Sequence, residues 1–142
     1  MKIDKCSDIN ALAILYKEFL YETYKDRCIA SIEDCIRVVT SWVEARIDIY
    51  ALSNDIELFG FSLSYVETND GTLKPVYRAE ITYVVPKYRK TKWSYKLLKL
   101  PIELAQSVGL PVVSKSTVYN KVNNIHNKLG GKLIFEERIL EC

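Results

Sequence analysis

Residues 84–98 read VVPKYRKTKWSYKLL, and their reading decides the fold. A strand ends at the two valines, Pro86 breaks its ladder, a basic loop follows, and a helix begins. A helix start offers unpaired N–H groups and a partial positive charge, which together suit a phosphate. Lys87, Arg89, Lys90 and Lys92 put four cations into six residues ahead of that start. Phosphate-cradling turns normally use glycine, and here lysine and serine stand in its place. A solvated basic turn between two core elements has the same composition. The loop by itself leaves both readings open.

Upstream, VYRAEITYVV is the strand that feeds the loop. The turn signal TNDGT separates it from ELFGFSLSYVE, whose alternation predicts Phe59, Phe61, Leu63 and Tyr65 on one face. IDIYALS precedes that as a third strand, with SNDI as the turn between them. Two helices come earlier. INALAILYKEFLYETYKD repeats Leu12, Leu15 and Phe19 at helical spacing, with Ser7 or Asp8 as its cap. SIEDCIRVVTSWVEA opens on a capping-box pattern, Ser31 with Asp34 three residues on, and carries Ile32, Cys35 and Val39 as its stripe. MKIDKC begins the chain as a short strand.

Downstream, a helix from Trp93 to Val108 carries Leu97, Leu98, Leu104, Ala105 and Val108 on one stripe, with Gly109 placed to end it. Pro101 lies inside it, where it removes one backbone hydrogen bond and is expected to kink the helix. PVVSKSTV is a strand, NKVNNIHNKLGG a short helix and KLIFEERIL a last strand. The order β α α β β β α β α β predicts a mixed α/β sheet covered by helices. Residues 77–118 form its βαβ crossover.

The chain has 142 residues, 49% hydrophobic and 27% charged. That composition suits one globular domain spanning 1–142. A net charge of +2 argues neither for nor against nucleic acid. The cysteines Cys6, Cys28, Cys35 and Cys142 form no CxxC pair, and the single histidine is His126, so no zinc site is expected. Nothing ahead of Cys6 has the form of a signal peptide, and no apolar run approaches the roughly 20 residues of a membrane helix. A cytoplasmic protein with reduced thiols and no membrane partner is expected.

The quoted stretch resembles the acetyl-CoA loop of the GCN5-related N-acetyltransferase (GNAT) superfamily. There a strand ending in V-x-P-x-Y-R is followed by R-x-x-G-x-G/A and a Leu-rich helix. Arg89 matches the motif arginine, and Lys92 and Ser94 stand at its two glycines. NKVNNIHNKLGGK is similar to the family's N-x-x-A-x-x-L-Y-x-K-L-G-F. Val122, Ile125, Lys128, Leu129 and Gly130 match in type, and His126 falls where tyrosine is frequent. The family asparagine falls at Tyr119 in an ungapped match, with Asn120 one place on. The resemblance covers nearly the whole chain and implies a mostly antiparallel central sheet with a parallel, splayed β4/β5 pair and helices on both faces.

It also implies acetyl-CoA as acyl donor and an amine as acceptor, whether a small molecule, a protein or a modified nucleobase. Backbone groups of Tyr83, Val84 and Val85 would pair with the pantetheine arm. Amides of Lys90, Thr91, Lys92, Trp93, Ser94 and Tyr95 would take the pyrophosphate, with Arg89 and Asn120 completing the cofactor set. The amine must lose a proton, since a lysine-like ammonium has a pKa of about 10. The oxyanion needs a donor, for which an amide near Val84 is placed. Glu80, in the apolar setting AEITYVV where burial raises a carboxylate pKa, is the candidate base. It is equally suited to be a structural partner for Arg78 or Arg89. His126 is the candidate acid, with a half-buried helix histidine as the plainer alternative.

The chain departs from the family at both loop glycines, at Pro101, and at its end. The 11 residues after Gly131 hold one strand where the family has a hairpin. That leaves a sheet edge a second chain could cover, so a homodimer is expected. The same departures support an alternative function: a non-catalytic binding or structural protein on this fold.

Overall fold

The computed structural model of the protein describes residues 1–25 and 30–114. Strand β1 (Lys2–Lys5) leads to α1 (Ile9–Tyr24) and α2 (Ile32–Glu44). Strands β2 (Asp48–Ser53), β3 (Leu58–Thr68) and β4 (Pro75–Val84) follow, then α3 (Lys92–Ser107) and β5 (Val112–Ser114). This is the predicted order as far as the described residues run. The helix expected over 120–131 and the last strand lie outside them, and so do Cys28 and Cys142.

The caps explain the helix bounds. Asp8, one of the two expected caps of α1, accepts from the Ala11 N–H. α2 has the predicted capping box, Ser31 and Asp34 satisfying each other's backbone N–H groups. Thr91 caps α3 by accepting from the Ser94 N–H, so the helix starts at Lys92, one residue before the expected Trp93. Gly109, in the left-handed region at φ 69°, follows the end of α3. α3 runs through Pro101 as one helical element, and the proline ring is buried.

The sheet has the order β1-β2-β3-β4-β5. The first four strands pair antiparallel, and β4 pairs with β5 in parallel through Tyr77↔Val112, Arg78↔Val113 and Ala79↔Ser114. Apolar stripes cover it on both faces. Leu12, Leu15, Cys35 and Val39 from α1 and α2 pack on Ile49, Phe61, Leu63 and Tyr83. Leu97 of α3 packs on the other side with Leu52, Phe59 and Val84.

Phe59 departs from the predicted face. Leu52 pairs with Gly60 and Ser53 with Leu58, so Phe59 is an extra residue in β3. A bulge of this kind re-aims a side chain. Phe59 therefore joins the α3 cluster while Phe61 and Leu63 face α1 and α2. A second bulge lies between β3 and β4. Leu63 pairs with Ile81 and Ser64 with Ala79, which leaves Glu80 as the extra residue in β4.

Candidate functional site: the end of β4 and the start of α3

The end of β4 turns one residue's backbone outward. Val85 N–H donates to the Phe59 carbonyl at 2.9 Å. The Tyr83 carbonyl faces Gly60, where a Cβ would stand 2.6 Å from it. Both residues thus address β3, and the alternation of a strand turns Val84 N–H and C=O to the opposite edge. That is the edge along which β5 pairs nearer the strand's start. Of the three residues expected along the pantetheine arm, Val84 presents its backbone there.

After Val84 the chain makes a 3-10 turn over Pro86–Tyr88, with Tyr88 packed on Phe59 at 4.5 Å between ring centroids. Lys90 then adopts φ 64°, a left-handed conformation that favours glycine. Lys92 and Ser94, the two residues at the motif's glycine positions, lie instead within the first turn of α3. No left-handed backbone is required at either. What their side chains change is the space in front of the helix start.

Thr91 shapes that start twice. Its hydroxyl donates to the Tyr88 carbonyl at 2.7 Å and accepts from the Ser94 N–H at 3.4 Å. Tyr95 N–H is used inside the helix, on the Thr91 carbonyl. The N–H groups of Lys90, Thr91, Lys92 and Trp93 bond to no described protein group. Of the six amides expected to meet a pyrophosphate, these four are available and those of Ser94 and Tyr95 are engaged. Lysines lie among and beside them in the sequence. Lys92 and Lys96 place their ammonium groups 5.4 and 4.7 Å from the centre of the Trp93 ring, and Lys87 lies over Tyr88. Amides that bond to no described protein group, in a stretch rich in lysine, form a donor set suited to a pyrophosphate.

Arg89 is engaged with other elements. Its Nη1 and Nη2 bond both carboxylate oxygens of Glu22 on α1, the second at 2.6 Å. Its Nε donates to the Val84 carbonyl at 2.7 Å, and its guanidinium lies 5.4 Å from the Tyr83 ring centre. The arginine beside it holds the Glu22 carboxyl below the usual carboxylate range. Burial, with Glu22 adding to it, pushes the Tyr83 hydroxyl well above its ordinary value.

Glu80 belongs to a second cluster on β3 and β4. Arg78 bonds Glu67 through Nε and lies 3.9 Å from Glu80. Tyr65 donates its hydroxyl to Glu80 at 3.4 Å. Burial and the adjoining carboxylates push that hydroxyl's pKa up. Tyr65 pairs with Arg78 and Glu67 with Val76 across the two strands. Of the two arginines considered as partners for Glu80, the structure pairs it with Arg78 and gives Arg89 to Glu22. His126 and Asn120 lie outside the described residues. Glu22 and Glu67 were not among the residues singled out by sequence, and Tyr65 was named only for its place on an alternating strand face. Their partners come from other elements, and no local pattern marks them.

No family model matches the chain, and no curated protein matches it. Solved structures do. A protein from Clostridium acetobutylicum, described as a predicted acetyltransferase and solved with acetyl-CoA, superposes with a TM-score of 0.78 at 11% identity, over 99% of this chain and 95% of that one. An aminoglycoside N-acetyltransferase in complex with CoA gives 0.74 at 15% identity, over 99% and 92%. A ribosomal-protein-alanine N-acetyltransferase from Brucella melitensis gives 0.69 at 13% identity, over 100% of both chains. The chain has the GNAT fold: a mixed sheet with a parallel β4/β5 pair and helices on both faces.

Proposed function

We propose that the protein is a divergent GNAT acyltransferase that takes acetyl from acetyl-CoA and passes it to a primary amine. The observation that carries this reading is the presence of two donor groups at the two ends of one loop. The amides of residues 90–93, which bond to no described protein group, stand at the start of α3 in a lysine-rich stretch. The outward N–H of Val84 stands at the end of β4, the strand that leads into that loop.

When bound, acetyl-CoA supplies the activated acetyl thioester. The chain's part is to hold and to neutralise. The amides of Lys90, Thr91, Lys92 and Trp93 bind diphosphate oxygens, aided by the charges of Lys90 and Lys92. The Val84 N–H is the donor for charge developing on the acyl oxygen. Glu80 takes the proton the acceptor amine must lose as its nitrogen bonds the acetyl carbon. His126 is the proposed donor of the proton that the departing thiolate would need once the C–S bond is broken.

A cytoplasmic setting is part of this proposal. No described helix is long and apolar enough to cross a membrane. A second reading, a non-catalytic protein on the same fold, draws on the side chains at positions 92 and 94. Titration with acetyl-CoA separates the two. At 100 times its Kd the ligand should add about 2.7 kcal/mol to stability, read as a rise in melting temperature. No rise at millimolar acetyl-CoA would sink the acyltransferase reading.

A further inference from the structure

Arg89 is the motif residue whose side chain the cofactor loop could most readily turn toward a phosphate, yet it is committed elsewhere. Glu22 grips both Nη atoms, the Val84 carbonyl takes Nε at 2.7 Å, and the guanidinium lies over Tyr83. All five guanidinium N–H groups cannot serve a ligand while three are spent this way. Arg89 is thus a strut between α1, the outward-facing edge of β4, and the loop.

Two of its attachments bear on the acyl-donor site directly. Val84 is the residue that presents its backbone to the open edge, and Arg89 fixes it there through its carbonyl. Lys90, the next residue, holds the left-handed φ of 64° that sets the direction in which the following amides point. A lysine in that region costs energy, so neighbouring contacts must hold it. Glu22 supplies the contact, from a helix 67 residues away in sequence. The pair is more than one-third exposed on both sides, and exposed ion pairs contribute little to stability. Its two-point geometry acts on placement instead.

We infer that Glu22 is a positioning residue for the acyl-donor site, acting through Arg89 to hold Val84 and the amides of residues 90–93 in their binding arrangement. The inference rests on the acetyl-CoA reading above and deepens it. The end of α1 and the cofactor loop become one unit, so changes at the α1 end are felt at the donor site. Besides Arg89, the groups acting on Glu22 among the described residues include the Tyr83 hydroxyl and Lys25, and Glu18 acts on the same tyrosine.

The test is calorimetric titration of acetyl-CoA into wild type, Glu22→Gln, Arg89→Gln and the double variant. It is run well below the melting temperature, with circular dichroism verifying the fold. Glu22→Gln should weaken binding about tenfold, the worth of one hydrogen bond to a charged group. The double variant should bind no more weakly than Arg89→Gln alone, because both act through one strut. A Glu22→Gln variant with a lowered melting temperature and an unchanged Kd assigns the residue to stability and overturns the inference. Losses that multiply in the double variant also overturn it. Glu22→Asp, which keeps the charge, is read the same way if the neutral variant loses its fold. In all these cases wild type binds and the acetyl-CoA reading stands. A wild type that does not bind acetyl-CoA brings down both.

Discussion

Gly60 and Tyr83 meet across β3 and β4 so closely that a Cβ on the glycine would stand 2.6 Å from the tyrosine's carbonyl oxygen. The same Cβ would press on Leu97 and Val84 at 3.2 Å. The neighbour at 2.6 Å is backbone and cannot rotate away, so Gly60→Ala must shift the end of β4. The expected cost is about 1–3 kcal/mol of stability, in line with overpacked cores. Because the shift falls beside Val84, acetyl-CoA affinity should fall with it. Urea denaturation gives the first effect and titration the second. An unchanged midpoint in urea would contradict the packing described for this edge.

Lys92 offers a charge at the start of α3. Lys92→Ala should weaken acetyl-CoA binding severalfold at low ionic strength and little at high salt, because an exposed charge is screened within roughly 10 Å at 0.1 M salt. Lys92 already lies in a helical conformation, so Lys92→Gly gains nothing from glycine's backbone freedom. A Lys92→Gly variant that binds more tightly than wild type would show the side chain to be an obstruction.

Arg78 sits between two carboxylates, with only 16% of its side chain exposed. Arg78→Met strands Glu67 and Glu80 together, and should cost about 2–4 kcal/mol by leaving partly buried charge uncompensated. Glu80→Gln leaves Arg78 paired with Glu67 and should cost under about 1 kcal/mol. Comparing the two variants by urea denaturation checks the order. If Glu80 works as a base, Glu80→Gln should abolish acetyl transfer while leaving acetyl-CoA affinity unchanged.

Tyr77 donates to Asp48 and shares a hydrogen bond with Ser64, each at 3.0 Å. Burial pushes its hydroxyl up to about 12. A phenol whose folded pKa is raised holds its proton better folded than unfolded. The stability it contributes is complete below the unfolded value of about 10 and is lost as pH rises through about 12. Phenolate absorbance should therefore show a late-titrating fraction among the ten tyrosines, diminished in Tyr77→Phe. A Tyr77→Phe titration curve that keeps its full late fraction would refute the assignment.

What was legible in the sequence is what neighbouring residues decide. Ser31 and Asp34 announced the start of α2 because a capping box is closed within four positions. Gly109 announced the end of α3 in the same way. The two bulges were not legible. A pattern of alternating residues assumes a period of two, and it has no term for the extra residue at Phe59 or Glu80. The start of α3, expected at about Trp93, falls at Lys92, and the cap that fixes it was not legible: Thr91 reads as one more polar residue of a basic loop until its hydroxyl is seen on Ser94. At the site, the basic character of the loop could be read from its residues, whereas the engagement of Arg89 depends on Glu22, brought from α1 by the tertiary fold.

The bulge at Glu80 also bears on how the length of this chain can vary. Ala79 and Ile81 are already opposite consecutive residues of β3, Ser64 and Leu63. Deleting Glu80 would join two halves of β4 that are each in correct register, whereas deleting Arg78 or Thr82 would slide one half by a residue and turn its side chains over. Position 80 is thus a place where the strand tolerates shortening by one. Strand pairing by itself does not need a residue there.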